Sequence, residues 1–314
     1  MFKVLLNLKR AGVVGINRRN ADYILRYNER SLYPLVDDKL RTKRLAIAAG
    51  IAVPELYGVI EIEHDIGHLP DIVNSHKDFV VKPAHGSGGN GIYVIIGQIN
   101  NRYQHNNGSL LTKEDLEYHI SNILSGMYSL GGQPDHALIE YRVKFDPIFE
   151  SISYRGVPDI RTVVFRGIPV ASMVRLPTRR SDGKANLHQG AVGAGIDLAT
   201  GLTTHAVWQN QPVEQHPDTG ANIGNFRIPH WDKLLALASQ CYELVGLGYL
   251  GVDVVLDREL GPLVLELNAR PGLSIQIANG KGMQKRLKYI DQLAEIPASA
   301  QERASLAQEL CVRL

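Results

Sequence analysis

Residues 80–97, VVKPAHGSGGNGIYVIIG, most limit what this chain can fold into. Gly86, Gly88 and Gly91 stand at the spacing G-x-G-x-x-G behind an apolar run, the fingerprint of a dinucleotide-binding turn when a helix follows. No helix signal follows. Ile92 to Ile96 is β-branched and aromatic, so the stretch reads strand, glycine loop, strand. No strand-end acid lies about 20 residues further on either, as ribose recognition in that fold requires. A doubly wound nucleotide fold of the hydride-transferring kind is thereby disfavoured, and a glycine loop that returns into a sheet takes its place.

Composition excludes several other classes. Lys+Arg 34 against Asp+Glu 32 leaves a formal net charge of +2, too small a field to draw the whole molecule to nucleic acid or to an anionic membrane. Cys241 and Cys311 form no C-x-x-C, no run approaches the ~20 apolar residues of a membrane span, and the start MFKVLLNLKRAGVVGINRR lacks a signal-peptide pattern. The expectation is a reduced, cytoplasmic protein.

The arm of residues 1–37 holds a short helical stretch and a Pro-marked turn. DDKLRTKRLAIAAG opens on two Asp and stops at Gly50, which predicts a helix of about three turns. PELYGVIEI predicts a strand, and LTKEDLEYHISNILSGM a helix capped by Thr112 and Asp115. Beyond it, DIRTVVF and IPVASMVRL flank Arg166–Gly167 as a hairpin. The helix WDKLLALASQCYELVG puts Cys241 on its apolar face, a core position rather than a reactive one. One or two closing amphipathic helices are expected over 283–314, with Pro297 as the break.

The stretch GVDVVLDRELGPLVLELNARPG is the second constraint. A turn at Gly261–Pro262 sets Asp253 opposite Glu266, and period-2 alternation puts Asp253, Glu266 and Asn268 on one face, with Val252, Val254, Leu265 and Leu267 on the other. Facing carboxylates repel unless something positive lies between them. Two carboxylates and an amide oxygen suit Mg²⁺, which keeps its other positions for water and phosphate. A solvated polar face of an amphipathic hairpin fits the pattern equally well.

In order along the chain, DKLRTKRL, VVKPAHGSGGNGIYV, IEYRV, DIRTVVFRG, NLHQGA, GVDVVL and GPLVLELNARPG resemble the ATP-grasp superfamily, and within it the RimK-type α-L-glutamate ligase-like and sugar-transfer-associated proteins. The resemblance runs from about Asp38 to Gly282. It implies an α+β fold of two mixed lobes that clasp ATP, here without a full domain preceding them. The expected organisation is an arm (1–37), a small lobe with the glycine-rich flap (38–135), a large lobe with the metal site (136–290) and a closing helix (291–314).

That resemblance also assigns roles. Lys39 and Lys82 pair with ATP phosphates, and the flap through His85, Gly86, Ser87, Gly88, Gly89 and Gly91 brings backbone N–H groups to them, glycine leaving no side chain in the way. Glu140, Tyr141, Arg142 and Val143 form the adenine hinge, and Asp146 reaches the ribose. Asp253, Glu266 and Asn268 hold Mg²⁺, two ions bridged by Glu266, with Mn²⁺ able to substitute. Arg161, Asn186 and Arg270 lie at positions near the reacting carboxyl group, where fixed donors meet developing negative charge. His188 either deprotonates the incoming amine or is an ordinary loop histidine.

The implied activity is a carboxylate-amine ligase working through an acyl phosphate, with glutamate or another amino acid added to an acceptor. A kinase that stops after phosphorylation and a non-catalytic ATP-binding protein are the alternatives. Implied partners are a small carboxylate and an amine, or a peptide or protein acceptor. A homo-oligomer or second subunit could complete the site, because the 38 residues before Lys39 are too few for an independent domain. Arg270 stands where glutamate ligases more often have a small residue. The basic segment Arg175, Arg179, Arg180, Lys184 suits an acidic acceptor and is expected to order only when one binds.

Overall fold

The computed structural model describes residues 7–86, 88–129 and 131–314. Among them two sheets form, one in each of two contact-dense units. The smaller unit comprises Asp38–Arg44 and Val53–Val143; the larger takes residues up to Asp37, Leu45–Ala52 and Lys144–Leu314.

In the smaller unit the strands are β1 (Leu56–Ile60), β2 (Phe79–Pro83), β3 (Tyr93–Ile99), β4 (Arg102–His105), β5 (Leu110–Leu111) and β6 (Ala137–Glu140), ordered β1-β6-β2-β3-β4-β5. The glycine loop joins β2 to β3, which pair antiparallel with Phe79 opposite Ile95, so the chain goes strand, loop, strand. Helix α1 (Lys39–Ala48), of which the residues up to Arg44 belong to this unit, starts on Asp38, whose carboxylate accepts from the Leu40 and Arg41 amides. Helix α2 (Lys113–Leu124) has the capping box expected of Thr112 and Asp115. It lays Leu116, Ile120 and Ile123 on Phe79, Val81 and Ile95, all without solvent exposure. Each such side chain contributes roughly 1.5–3 kcal/mol. The unit ends at Val143 rather than at 135, because β6 inserts between β1 and β2 and cannot leave the sheet without breaking both ladders.

The larger unit is built on β7 (Asp159–Phe165), β8 (Ile168–Leu176), β9 (Val192–Ile196), β10 (Thr203–Trp208), β11 (Gln211–Val213), β12 (Tyr249–Asp257) and β13 (Gly261–Asn268), ordered β11-β10-β9-β8-β7-β12-β13 and antiparallel throughout. The β7–β8 turn uses Arg166 and Gly167, both at positive φ, as a tight hairpin requires. Helix α3 (Trp231–Val245) buries Trp231, Leu234, Leu235, Ala238, Cys241 and Val245; burial pushes the Cys241 thiol up to about 12, which makes it an inert core residue. Helices α4 (Ser274–Ala278), α5 (Gln284–Asp291) and α6 (Ala300–Arg313) complete the unit, α5 and α6 separated around Pro297. Among the described residues no helix is long and apolar enough to cross a membrane.

The described part of the N-terminal arm packs on this unit. Asn28 Nδ2 donates to the Tyr249 and Ala269 carbonyls at 2.8 and 3.0 Å, and its Oδ1 accepts from the Tyr249 amide. Gln276 exchanges two hydrogen bonds with the Val14 backbone. The closing helix α6 packs on α3 and β8 of the same unit instead of standing apart.

Candidate functional site

In the smaller unit the candidate residues gather where β2 runs into the glycine loop. Gly86 has no room for a side chain, since a Cβ would stand 2.3 Å from Pro83 Cγ. Gly91, at φ +74°, would collide with the Tyr128 ring. Gly88 and Gly89 also sit at positive φ. Ser87 lies outside the described residues. Lys39 Nζ donates to the Gly86 carbonyl, tying the first turn of α1 to the loop. His85 is held by Asp135, with Nδ1 2.7 Å from its carboxylate and the backbone N–H on both oxygens, while Nε2 lies 3.8 Å from Asp38.

Lys82 is buried and engages Glu140 Oε1 at 2.5 Å; Lys43 Nζ stands 2.7 Å from Oε2 of the same carboxylate. Burial raises a carboxyl group, but here Lys82 and Lys43 outweigh it and hold Glu140 below the ordinary range. Burial drives Lys43 down to about 8. Glu140 is therefore the counter-ion of a buried two-lysine cluster, a role beyond the backbone one expected of the hinge. Lys43, one helical turn after Lys39, was missed; the spacing i, i+4 within KLRTK was its only signal. Of the other hinge residues, Tyr141 N donates to Glu55 O, Arg142 pairs with Asp78 at 2.8 Å and Val143 is buried. Another missed residue is His119 on α2. It is buried, stacks on Tyr93 at 3.5 Å, and its Nε2 lies 3.0 Å from the Gly91 carbonyl, fixing the end of the loop.

In the larger unit, Arg161, Asp253 and Glu266 stand in one row across β7, β12 and β13. The pairing of Asp253 with Glu266 is the one expected, but a bulge follows it. Val254 pairs with Val264 and Leu265 becomes the extra residue, half-buried instead of facing the core with Val254. The Asp253 carboxylate turns away from Glu266. Both oxygens accept from Arg161, and Oδ2 accepts also from Arg175 at 2.8 Å. Arg175 at the same time grips Asp159. Burial would raise Asp253, yet the two guanidinium groups hold it below the ordinary range; burial dominates at Asp159 and pushes it up to about 6. Asp159 was missed, although it lies two residues before Arg161 and hence on the same face.

Asp253 in this conformation does not fit a divalent cation, because its oxygens are committed to arginine. Glu266 and Asn268 do fit. Among the described residues the Glu266 carboxylate has no hydrogen bond or ion pair, and the buried Asn268 Nδ2 has no partner, leaving an amide free to turn its oxygen to a ligand. No group of three His, Cys, Asp or Glu side chains with metal-binding geometry occurs among the described residues.

The remaining candidates separate. Asn186 caps the short turn Leu187–Gln189 by accepting from the His188 amide. His188 is exposed, at a cleft described below. Arg270 lies over the Tyr33 ring, 5.0 Å from its centroid. Asp146 caps the turn Pro147–Ile152 through the Ile148 amide, an ordinary structural task. The segment 175–184 is already anchored: Thr178 and Ser181 are buried and bonded to one another, and Arg179 N donates to Asp218 at 2.7 Å. The segment expected to be a loose basic loop is held by these backbone and hydroxyl hydrogen bonds together with the buried Leu176 and Pro177.

An α+β chain with a glycine flap between antiparallel strands and an acid-and-amide hairpin in a second sheet is the class of protein that the ATP-grasp name covers. The chain belongs to the sugar-transfer associated ATP-grasp family, whose model matches residues 18–292. It is similar to a probable alpha-L-glutamate ligase of Maridesulfovibrio salexigens, 24% identical over 238 residues, covering 75% of this chain and 56% of that protein. It is also similar to one of Aeromonas salmonicida, 25% identical over 267 residues, covering 85% and 66%. This chain thus spans less than two thirds of the length of either. Among solved structures it resembles the ATP-grasp ligase PsnB complexed with minimal precursor, at 15% identity and a TM-score of 0.46, covering 85% of this chain and 64% of that one.

Proposed function

We propose that this chain is an ATP-dependent carboxylate-amine ligase that activates a carboxylate as its acyl phosphate and passes the acyl group to an amine. The observation that carries the reading is the flap: a glycine loop closed at both ends, by Lys39 on Gly86 and by His119 on Gly91, and springing from a strand that carries the buried Lys82. Its backbone N–H groups and the positive excess of Lys82 and Lys43 over Glu140 suit the phosphates of ATP. The likeness to proteins named probable alpha-L-glutamate ligase supports ligation over simple phosphorylation.

In this reading the substrate carboxylate, anionic at neutral pH, attacks the γ-phosphorus and ADP leaves. The amine then adds to the acyl carbon and loses a proton, the acyl C–O bond breaks, and phosphate departs with the former carboxylate oxygen still on phosphorus. The first step needs alignment and charge neutralisation rather than a base. Glu266 and Asn268 would hold Mg²⁺, which when bound neutralises charge on the transferring phosphoryl group. Arg161 and Arg175 keep Asp253 in place beside Glu266, and Asn186 orders the turn that presents His188.

The test is phosphate release from MgATP with a panel of carboxylates and amines. Release that needs both partners, with an amide as product, supports the ligase. Release with the carboxylate alone points to a kinase, and thermal stabilisation by NAD in preference to MgATP sinks the reading.

A further inference from the structure

A cleft of about 330 Å³ opens in the larger unit beside the turn Leu187–Gln189, a volume at the lower end of ligand sites. It lies on the sheet face that carries Arg175, Asp159 and Asp253. Gly193 pairs with Arg175 across β9 and β8, and a Cβ at Gly193 would stand 2.7 Å from Leu187 and 3.5 Å from Ala278. Leu187 and helix α4 therefore cover the side of the sheet toward which Arg175 projects. The apolar lining comes from Leu187, Ala191, Val207 and Ile277; amides, Ser274 and the His188 imidazole supply hydrogen-bonding groups.

Among the described residues no carboxylate lines this cleft, and Arg180 is its one permanently charged side chain. The neighbouring arginines of the same segment are already engaged: Arg175 by Asp159 and Asp253, Arg179 by Asp218 at 3.9 Å and the Tyr154 ring. Arg180 is different. Among the described residues its guanidinium makes no hydrogen bond or ion pair, while its stem packs over Gly190, where a Cβ would stand 2.8 Å from Arg180 Cγ. At φ +108°, Gly190 is the residue that leaves room for that stem. Its carbonyl is pinned by Thr178 Oγ1 and Trp208 Nε1, both at 2.8 Å. The cation is thus seated on a rigid backbone with its donors unspent.

We infer that this cleft is the subsite for a substrate with a single carboxylate and a short apolar body, the carboxylate on Arg180 and the body on Leu187, Val207 and Ile277. One cation faces one anion. A dicarboxylate such as glutamate would bring a second charge to a wall that offers it no cation, at a desolvation cost. Calling the occupant a substrate rests on the ligase reading; its binding does not.

The experiment uses the full chain and saturation-transfer NMR or calorimetry with three probes: L-norvaline, L-norvalinamide, which lacks the carboxylate, and L-glutamate. L-Norvaline should bind, both other probes about tenfold more weakly or worse, and Arg180→Gln should weaken L-norvaline by a similar factor, the order expected for a lost charge-assisted hydrogen bond. Arg180 is exposed, so an unchanged melting curve for Arg180→Gln is expected and is checked first. Absence of L-norvaline binding, equal binding of the amide, equal or tighter binding of L-glutamate, or indifference to Arg180→Gln would each overturn the assignment. Phosphate release from MgATP is measured in parallel. Two-substrate release without this selectivity removes the subsite and keeps the ligase; selective binding without MgATP consumption does the reverse.

Discussion

Arg161 and Asp253 face one another across β7 and β12, and the guanidinium takes both oxygens of the carboxylate. That pairing divides the acid hairpin into two halves with different expected responses to mutation. Asp253→Asn removes the anion on which Arg161 is paired and leaves Arg175 with Asp159 alone, and should cost about 3–5 kcal/mol of stability. Glu266→Gln keeps volume at a half-buried position that has no partner among the described residues, and should change stability by less than about 0.5 kcal/mol. It should also abolish Mn²⁺ binding, read by proton relaxation, and MgATP consumption with it. Equal stability losses in urea for both variants would contradict this division.

The Lys43–Glu140–Lys82 cluster predicts a pH dependence. Burial holds the Lys43 ammonium down to about 8 in the native protein, against the ordinary lysine value of 10.5. Between those values the unfolded chain binds the proton that the native state has lost, so stability rises with pH across that window. Below about 8 the native state carries the burial cost. Measured against Lys43→Met, wild-type stability should climb by on the order of 2–3 kcal/mol from pH 7.5 to 10. A difference that stays flat over the range would mean that Lys43 keeps its proton.

His119 gives the opposite end of the pH scale. Burial holds its imidazole below the ordinary histidine value of 6.5, and its Nε2–H donates to the Gly91 carbonyl. Below that value the unfolded chain gains a proton that the native state resists, so stability falls as pH falls. His119→Gln should cost about 1–2 kcal/mol at pH 7, remove that part of the acid sensitivity, and raise the KM for ATP more than it lowers kcat by loosening the end of the flap. An unaltered KM would leave His119 as a core residue only.

The anchoring of residues 177–190 predicts slow amide exchange without any ligand. The Ser181 amide, held by Thr178 Oγ1, and the Arg179 amide, held by Asp218, should both be protected, and Asp218→Asn should release the second. Fast exchange at Ser181 in the unliganded protein would restore the picture of a loop that waits for substrate.

The sequence determined the local order of this protein, because strands, caps and turns are decided by neighbours. A hairpin turn between two strand runs set Asp253 opposite Glu266, the β-branched run after Gly91 made the glycine loop return into a sheet, and Thr112 with Asp115 started α2. What each charge does was decided by tertiary structure, since it depends on partners far along the chain. Asp253 meets Arg161, 92 residues away, and turns from Glu266; Glu140 meets Lys82 and Lys43. Of three neighbouring arginines, two pair with Asp159, Asp253 and Asp218, and among the described residues Arg180 faces a cleft without such a partner. A carboxylate in a sequence has no address for its counter-ion, and only the fold, by removing water from around it, makes the choice of counter-ion matter.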